Sequence, residues 1–154
     1  MNDRYLFRGK RFNNDEWVQG TYTQNVKCTP LGAIIVIDVI QYIGRADGAT
    51  YSFKYEIDPA TIGQCTGLRD KNGTLIFEGD VLQWAIDDDP DSKDIFVVEW
   101  LQHTWQMILL PKSANYKSAG YGCKRGLWSF PTPDGKLQCL IVIGNIHDNP
   151  ELLT

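Results

Sequence analysis

The chain has 154 residues, of which 43% are hydrophobic and 12% aromatic, and its formal net charge is −4 at pH 7. This length suits one domain with a sizeable core. The negative charge disfavours non-specific nucleic-acid binding, which needs clustered lysine and arginine side chains to displace counterions from phosphates. Because no apolar stretch is long enough to cross a bilayer, we expect no membrane partner.

Cysteine usage indicates neither a metal site nor a cofactor. Four cysteines are spread along the chain, without a CxxC pair or a histidine at zinc-ligand spacing: Cys28, Cys65, Cys123 and Cys139. Such isolated residues are typical of reduced thiols in a cytosolic protein. No basic segment leads into an apolar run near residue 1, so we also expect no signal peptide and a cytoplasmic location.

Strand signals fill the first sixty residues. Strands are predicted at residues 5–9 and 17–22, which are joined by a polar hairpin loop, and a loop is expected at 27–31. The apolar run 33–37, with two more apolar residues at 39–40, predicts a strand over 33–40 that is covered on both faces. Residues 51–57 alternate strictly between apolar and polar, which is the period of a strand with one exposed face.

Two short dipeptides, Asp58-Pro59 and Asn149-Pro150, each predict a single helical turn. The Asp or Asn would cap the turn and the proline would open it. Leu152 and Leu153 would then dock on the sheet. Turn signals recur about every ten residues and no amphipathic helix of ordinary length is present, so the residues favour an all-β sandwich or barrel.

The region around Asn72-Gly73 is the most specific part of the chain. This dipeptide predicts a type I′ hairpin turn, which needs positive φ at both central residues. Short strands are predicted at 74–77 and 81–86 on either side of a second turn. Aspartate and asparagine bond their own backbone in turns, so we assign structural turn roles, rather than metal binding, to Gly67, Asp70, Asn72, Gly73, Gly79 and Asp80.

Further strands are predicted at 95–100, 104–110 and 140–146. A short turn at 101–103 links the first two, and two polar segments lie at 87–94 and 112–136. Asp87, Asp89 and Asp91 in the acidic segment 87–94 suggest a calcium loop. An EF-hand would need Gly at position 92 and Glu at position 98, which are Ser and Val here. We therefore interpret the segment as a solvated loop whose charges keep strand edges apart.

The segment 112–136 combines positive charge with aromatic rings and has weak periodicity. Stacking plus charge suits single-stranded nucleic acid, while the same composition suits a protein partner, a second subunit or a solvated loop. These alternatives stay open. The residues that would contact a partner are Lys117, Tyr121, Lys124, Arg125 and Trp128.

No pattern in the chain indicates an enzyme. His103 and His147 are the two histidines, and neither lies in a motif with serine, cysteine or a metal-binding carboxylate. The glycines lack the Lys-Ser/Thr ending of a phosphate-binding loop. We therefore predict no catalytic residue, no cofactor and no metal.

Three segments resemble the YopX family, which is found mainly in phages and prophages of Gram-positive bacteria. The first is residues 7–20, with Phe-Arg-Gly-Lys followed by Glu-Trp-Val-Gln-Gly. The second and most specific is residues 57–81, and the third is residues 142–153. Phe77 and His147 stand where the family usually carries tyrosine, and both substitutions keep a ring.

The resemblance implies one all-β unit over residues 1–154, with few or no helices. It divides this unit into an N-terminal β region at 1–60 and a C-terminal SH3-like barrel at 61–154. The family supplies no established activity. We therefore expect a non-enzymatic accessory protein of phage or prophage origin that binds protein or self-assembles in a bacterial or phage-infected cell. The alternative is a nucleic-acid-associated module that uses the 112–136 loop.

Overall fold

The structure is a computed structural model that describes residues 3–29, 32–44, 50–85, 94–111, 113, 124–127 and 136–154. Most of these residues lie in strands, and short 3-10 turns are present at Asp3–Tyr5, Pro59–Thr61 and Pro150–Leu152. The predicted all-β class is confirmed. Two compact units are present, Met1–Cys65 and Thr66–Thr154.

The first unit is an antiparallel sheet. Its strands are β1 (Phe7–Lys10), β2 (Trp17–Thr29), β3 (Gly32–Gly44), β4 (Thr50–Ile57) and the start of β5 (Gly63–Asp70). They lie in the order β5-β1-β2-β3-β4. The predicted loop at 27–31 is wrong for residues 27–29, because β2 and β3 stay paired as far as Thr29 and Gly32. Continuous backbone pairing along this hairpin overrides the weak local signal.

Glycine at position 9 allows β1 to approach the end of β4 closely. A Cβ atom at Gly9 would lie 3.2 Å from Cβ of Ile57 and still closer to its Cδ1. Ile57 is buried. A methyl group at position 9 would therefore overlap a side chain that has little room to move.

The second unit contains the end of β5 and seven further strands. These are β6 (Leu75–Phe77), β7 (Asp80–Trp84), β8 (Ile95–Leu101), β9 (Thr104–Leu109), β10 (Lys124–Gly126), β11 (Lys136–Leu137) and β12 (Leu140–Asn145). Five of them form an antiparallel sheet in the order β10-β9-β8-β7-β12, and β6 and β11 pair with β5. Within the described residues this sheet is not closed, so the SH3-like barrel stays a prediction.

Two groups of buried side chains stabilise the second unit. The larger includes Leu68, Leu82, Met107 and Leu140. The smaller consists of Val81, Ile95, Val97 and Leu110, and the partly buried leucines of the last 3-10 turn pack against it, as predicted for 152 and 153. Apolar burial of this kind is the main stabilising contribution to a folded domain.

The first hairpin turn of this unit differs from the predicted type. Gly73 has a φ of 88°, whereas Asn72 is not in the positive-φ region, so a type I′ turn at this dipeptide is wrong. Gly73 N–H donates to Asp70 O at 2.9 Å, and Asp70 N–H donates to Thr74 O at 2.9 Å. This is the three-residue hairpin loop in which glycine follows a tight turn in the left-handed region.

The type I′ geometry occurs instead between β8 and β9. Gln102 and His103 have φ values of 50° and 65°, and they lie between the paired residues Leu101 and Thr104. The predicted turn at 101–103 is confirmed, but Gln is not a residue type that favours positive φ, so the sequence does not indicate this turn type. The twist of the paired strands, which matches primed turns, selects this conformation.

Buried carboxylates hold the turns of the second unit. Asp70 is 1% exposed. Its Oδ1 accepts from Asn72 N–H at 2.9 Å and Thr74 N–H at 2.8 Å, and its Oδ2 accepts from Val142 N–H at 3.0 Å. One carboxylate therefore joins the hairpin turn to β12. In the next turn, Oδ2 of Asp80 accepts from Phe77 N–H at 2.7 Å.

The two predicted Asx-Pro turns differ in how they are capped. Asp58 caps its turn as predicted, since its Oδ1 accepts from Ala60 N–H at 2.9 Å. The predicted cap by Asn149 is wrong, because this side chain makes no capping bond. Its Oδ1 instead accepts from Asn145 N–H at 3.3 Å, which draws the side chain towards the end of β12.

Asp70→Asn is expected to lower the free energy of unfolding by about 1–3 kcal/mol, because the new amide N–H₂ cannot accept from Val142 N–H. Urea denaturation followed by fluorescence measures the change. Glu99→Gln on β8, which removes a carboxylate from a half-buried position, is the charge-matched control. Equal stability of Asp70→Asn and the wild type would contradict this role.

Gly9→Ala is expected to destabilise the protein by about 1–3 kcal/mol through its overlap with Ile57. Ile57→Val removes Cδ1, the atom nearest the added methyl group. The double variant should therefore lose less unfolding free energy than the sum of the losses in the two single variants. Thermal unfolding of the four proteins measures the coupling, and strict additivity would exclude the steric explanation.

Candidate functional site

Strand β4 is an edge strand. It pairs with β3 from Ile37↔Ile57 to Gly44↔Thr50, and no other strand in the described part of the chain pairs along its second side. An edge strand presents backbone N–H and C=O groups on which another chain can build. This makes the edge of β4 the first surface to consider for a partner.

Large side chains on this strand are unusually exposed. Tyr51 is 47% and Phe53 is 45% exposed, and Tyr55 follows at the next position on the same face. The rings of Phe53 and Tyr55 are nearly parallel, with centroids 6.5 Å apart. We call Tyr51, Phe53 and Tyr55 the aromatic row. The prediction that only one face of this strand is exposed is wrong for residues 51–54, which are exposed on both faces.

The hairpin loop between β1 and β2 covers the end of β4. Phe12 N–H donates to Glu56 O at 3.1 Å, and Asp58 N–H donates to Lys10 O at 2.8 Å. The backbones of Arg11 and Ile57 form an isolated antiparallel β-bridge. The Arg11 guanidinium lies 4.8 Å from the centroid of the Tyr55 ring, a cation–π contact.

A concave surface of about 440 Å³ lies beside this junction. Its two cations have partners in the first unit, since Arg11 pairs with Glu16 at 2.9 Å and Lys54 pairs with Asp38 at 2.8 Å. Both charges are therefore compensated. The residues that line it are Arg11, Phe12, Asn13, Lys54, Tyr55 and Glu56.

Asp38 is a buried carboxylate for which no role is predicted from the sequence. It is 3% exposed. It accepts from Asn25 Nδ2 at 2.6 Å and pairs with Lys54 across the strand pair. Asp38 and Val39 face opposite sides of β3 and both are buried, so the strand is covered on both faces at these residues, as predicted. An aspartate inside an apolar run was the sequence signal that could have indicated a buried, paired carboxylate here.

The predicted partner-contact residues of segment 112–136 are only partly described. Lys117, Tyr121 and Trp128 lie outside the described residues. Lys124 and Arg125 belong to β10, where their backbones pair with Ile108 and Met107 of β9. The prediction that segment 112–136 is irregular is wrong for residues 124–126, which form β10. A strand of three residues is too short to show the alternation of apolar and polar residues by which strands are predicted.

The other predicted turn residues lie in or beside the turns described above, whereas Gly67 lies within strand β5 rather than in a turn. Gly67 and Gly79 each have a φ of 79°, in the region that favours glycine. The carboxylates of Asp70 and Asp80 accept hydrogen bonds from backbone N–H groups, as in turns, and do not form a metal-binding cluster with another described carboxylate. Among the described residues no three His, Cys, Asp or Glu side chains are grouped as metal ligands. Of the acidic segment 87–94, only Asp94 belongs to the described residues.

Cys65 and Cys139 are poor nucleophiles. Cys65 is buried, and burial raises the pKa of the Cys139 thiol. Since the thiolate is the reactive form, a raised pKa lowers reactivity at neutral pH. No helix in the described part of the chain is long and apolar enough to span a membrane.

Comparison with known proteins gives a family but no activity. In solved structures, the chain is similar to protein EF1440 from Enterococcus faecalis, with 25% sequence identity, 96% of each chain covered and a TM-score of 0.49. None of the curated proteins matches the chain. The model of the YopX protein family matches residues 6–154. This match spans nearly the whole sequence, and the chain therefore belongs to the YopX family.

Proposed function

We propose that this protein is a non-enzymatic accessory protein, of phage or prophage origin, that binds protein through the edge of β4. The observation that carries the proposal is the aromatic row on an edge strand. Backbone groups of an edge strand give affinity for an added strand, and neighbouring side chains give selectivity. Exposed apolar side chains grouped on one surface are typical of interaction sites.

The surroundings of the row support a protein partner over a small substrate. Catalytic sites bring polar groups together around a pocket and shift their pKa values. Beside Tyr55 the two cations of the concave surface are already ion-paired within the same unit. The surface is thus better suited to packing than to acid–base chemistry.

The cation–ring contacts of this unit favour protein over nucleic acid here. Arg8 lies 4.8 Å and Lys10 lies 5.6 Å from the Trp17 ring centroid, and Arg11 lies over Tyr55. A base that stacked on these rings would compete with cations already in place. A nucleic-acid function would therefore depend on segment 112–136.

Photo-cross-linking tests the proposed surface directly. A photoreactive phenylalanine analogue in place of Phe53, in cells that express the full chain, should give cross-linked products with protein. The same analogue at Trp100 is the control, since that residue is similarly exposed, at 48%, but lies in the second unit. Cross-links that are as frequent at position 100 as at 53, or absent from 53, would reject the surface.

Oligonucleotide titration tests the alternative. Fluorescence anisotropy with a labelled single-stranded oligonucleotide should show no binding at about 150 mM NaCl, because electrostatic contacts to phosphate weaken steeply with salt and the chain is acidic. Binding at about 50 mM NaCl that Lys124→Ala and Arg125→Ala abolish would instead favour the nucleic-acid module.

A further inference from the structure

The hydrogen bonds at the end of β4 reveal which of its residues point their backbone groups away from β3. Glu56 O and Asp58 N–H both bond to the β1–β2 loop. Arg11 and Ile57 lie between these bonds as a directly opposed pair. In a strand the two sides alternate, so the N–H and C=O groups of Ser52 and Lys54 also point away from β3.

Only part of β4 can therefore receive another strand. Residues 56–58 are bonded to residues 10–12, whereas no described strand pairs with the outer side of residues 50–55. We call residues 50–55 the open edge. Its outward backbone groups belong to Thr50, Ser52 and Lys54, and its side chains include the aromatic row.

The open edge has a symmetric pattern. Reading either way from Phe53, a polar residue is followed by a tyrosine: Tyr51, Ser52, Phe53, Lys54, Tyr55. A two-fold interface uses the same patch from both copies, so it requires a self-complementary surface. A palindromic strand meets this requirement when it pairs antiparallel with itself.

Pairing centred on Phe53 satisfies the backbone geometry. It places Ser52 opposite Lys54 of the second copy, and both have outward backbone groups, as a hydrogen-bonded antiparallel pair requires. Phe53 lies opposite Phe53 of the second copy as a non-hydrogen-bonded pair, in which side chains are closest. Tyr51 lies opposite Tyr55, so the six rings of two rows form one cross-strand ladder.

Charge selects the same register. Lys54 is the one charged residue of the open edge, and Asp38 holds its ammonium group at 2.8 Å. Pairing centred on Lys54 would oppose two cations, which is destabilising. Pairing centred on Ser52 avoids this but opposes fewer aromatic residues. The Phe53-centred register has the longest aromatic overlap without opposed charges.

We infer that two copies of this protein pair through β4 as an antiparallel, two-fold dimer centred on Phe53. This inference rests on the proposed protein-binding function and names its partner as a second copy of the chain. About five residues from each copy form the strand pair, so the interface is small and the dimer dissociates on dilution.

Sedimentation velocity over about 5 to 500 µM protein tests the dimer, since mass action makes its population depend on concentration. The wild type should shift from monomer to dimer. Phe53→Lys and Phe53→Glu should each remain monomeric, because the register opposes two like charges at this position. An equimolar mixture of the two variants should recover dimer, because it opposes lysine and glutamate.

Disulfide trapping provides a second measurement. Phe53→Cys should form an interchain disulfide on mild oxidation, because opposed Cβ atoms of a non-hydrogen-bonded pair lie close enough for a bridge. Trp100→Cys is the matched control and should not cross-link. Circular dichroism of each variant establishes that it is folded.

The outcomes separate the two proposals. Dimer loss in both charged variants, with recovery in the mixture, supports the Phe53-centred dimer. A dimer that persists in both variants, without a disulfide at position 53, overturns it. A wild type that stays monomeric while the photo-cross-linker at 53 captures a different protein overturns the dimer but leaves protein binding intact. If the photo-cross-linker at position 53 captures no protein at all, both the dimer and protein binding through β4 are rejected.

Discussion

The backbone pairing between residues 10–12 and 56–58 is the constraint on which the candidate surface depends. Arg11 and Ile57 face each other between two backbone hydrogen bonds. These bonds cover one end of β4 and fix the direction in which its remaining polar groups point. Gly9 allows the approach, because any larger residue would meet Ile57. A steric requirement at one glycine thus decides which part of an edge strand stays open.

The second unit is organised by a different interaction, the capture of backbone N–H groups by buried carboxylates. Asp70 binds three of them and connects a hairpin turn to a strand more than seventy residues away. Hydrogen bonds to an ionised acceptor are stronger than neutral ones, and they compensate the cost of burying the charge. Asp70 and Asp80, whose grouping could suggest a metal site, therefore hold the backbone of turns instead.

These two arrangements suggest a division of roles within the chain. The second unit buries apolar side chains in two groups, although Trp100 is exposed. The first unit leaves Tyr51 and Phe53 nearly half exposed beside an open strand edge. Proteins usually blunt such edges with charge or cover them, since uncovered edges promote association. A partner strand at β4 would explain why this edge carries rings, with Lys54 as its one charge.

The sequence by itself determined the all-β class, the strand at residues 51–57 and the capped turn at Asp58-Pro59, because each depends on local periodicity or on the chemistry of neighbouring residues. It did not determine the turn type at Asn72-Gly73, where Asp70 holds the loop through a distant strand. Nor did it show that β4 lies at an edge. Alternation assigns side chains to faces but does not say which strands are neighbours, and only the tertiary structure decided that.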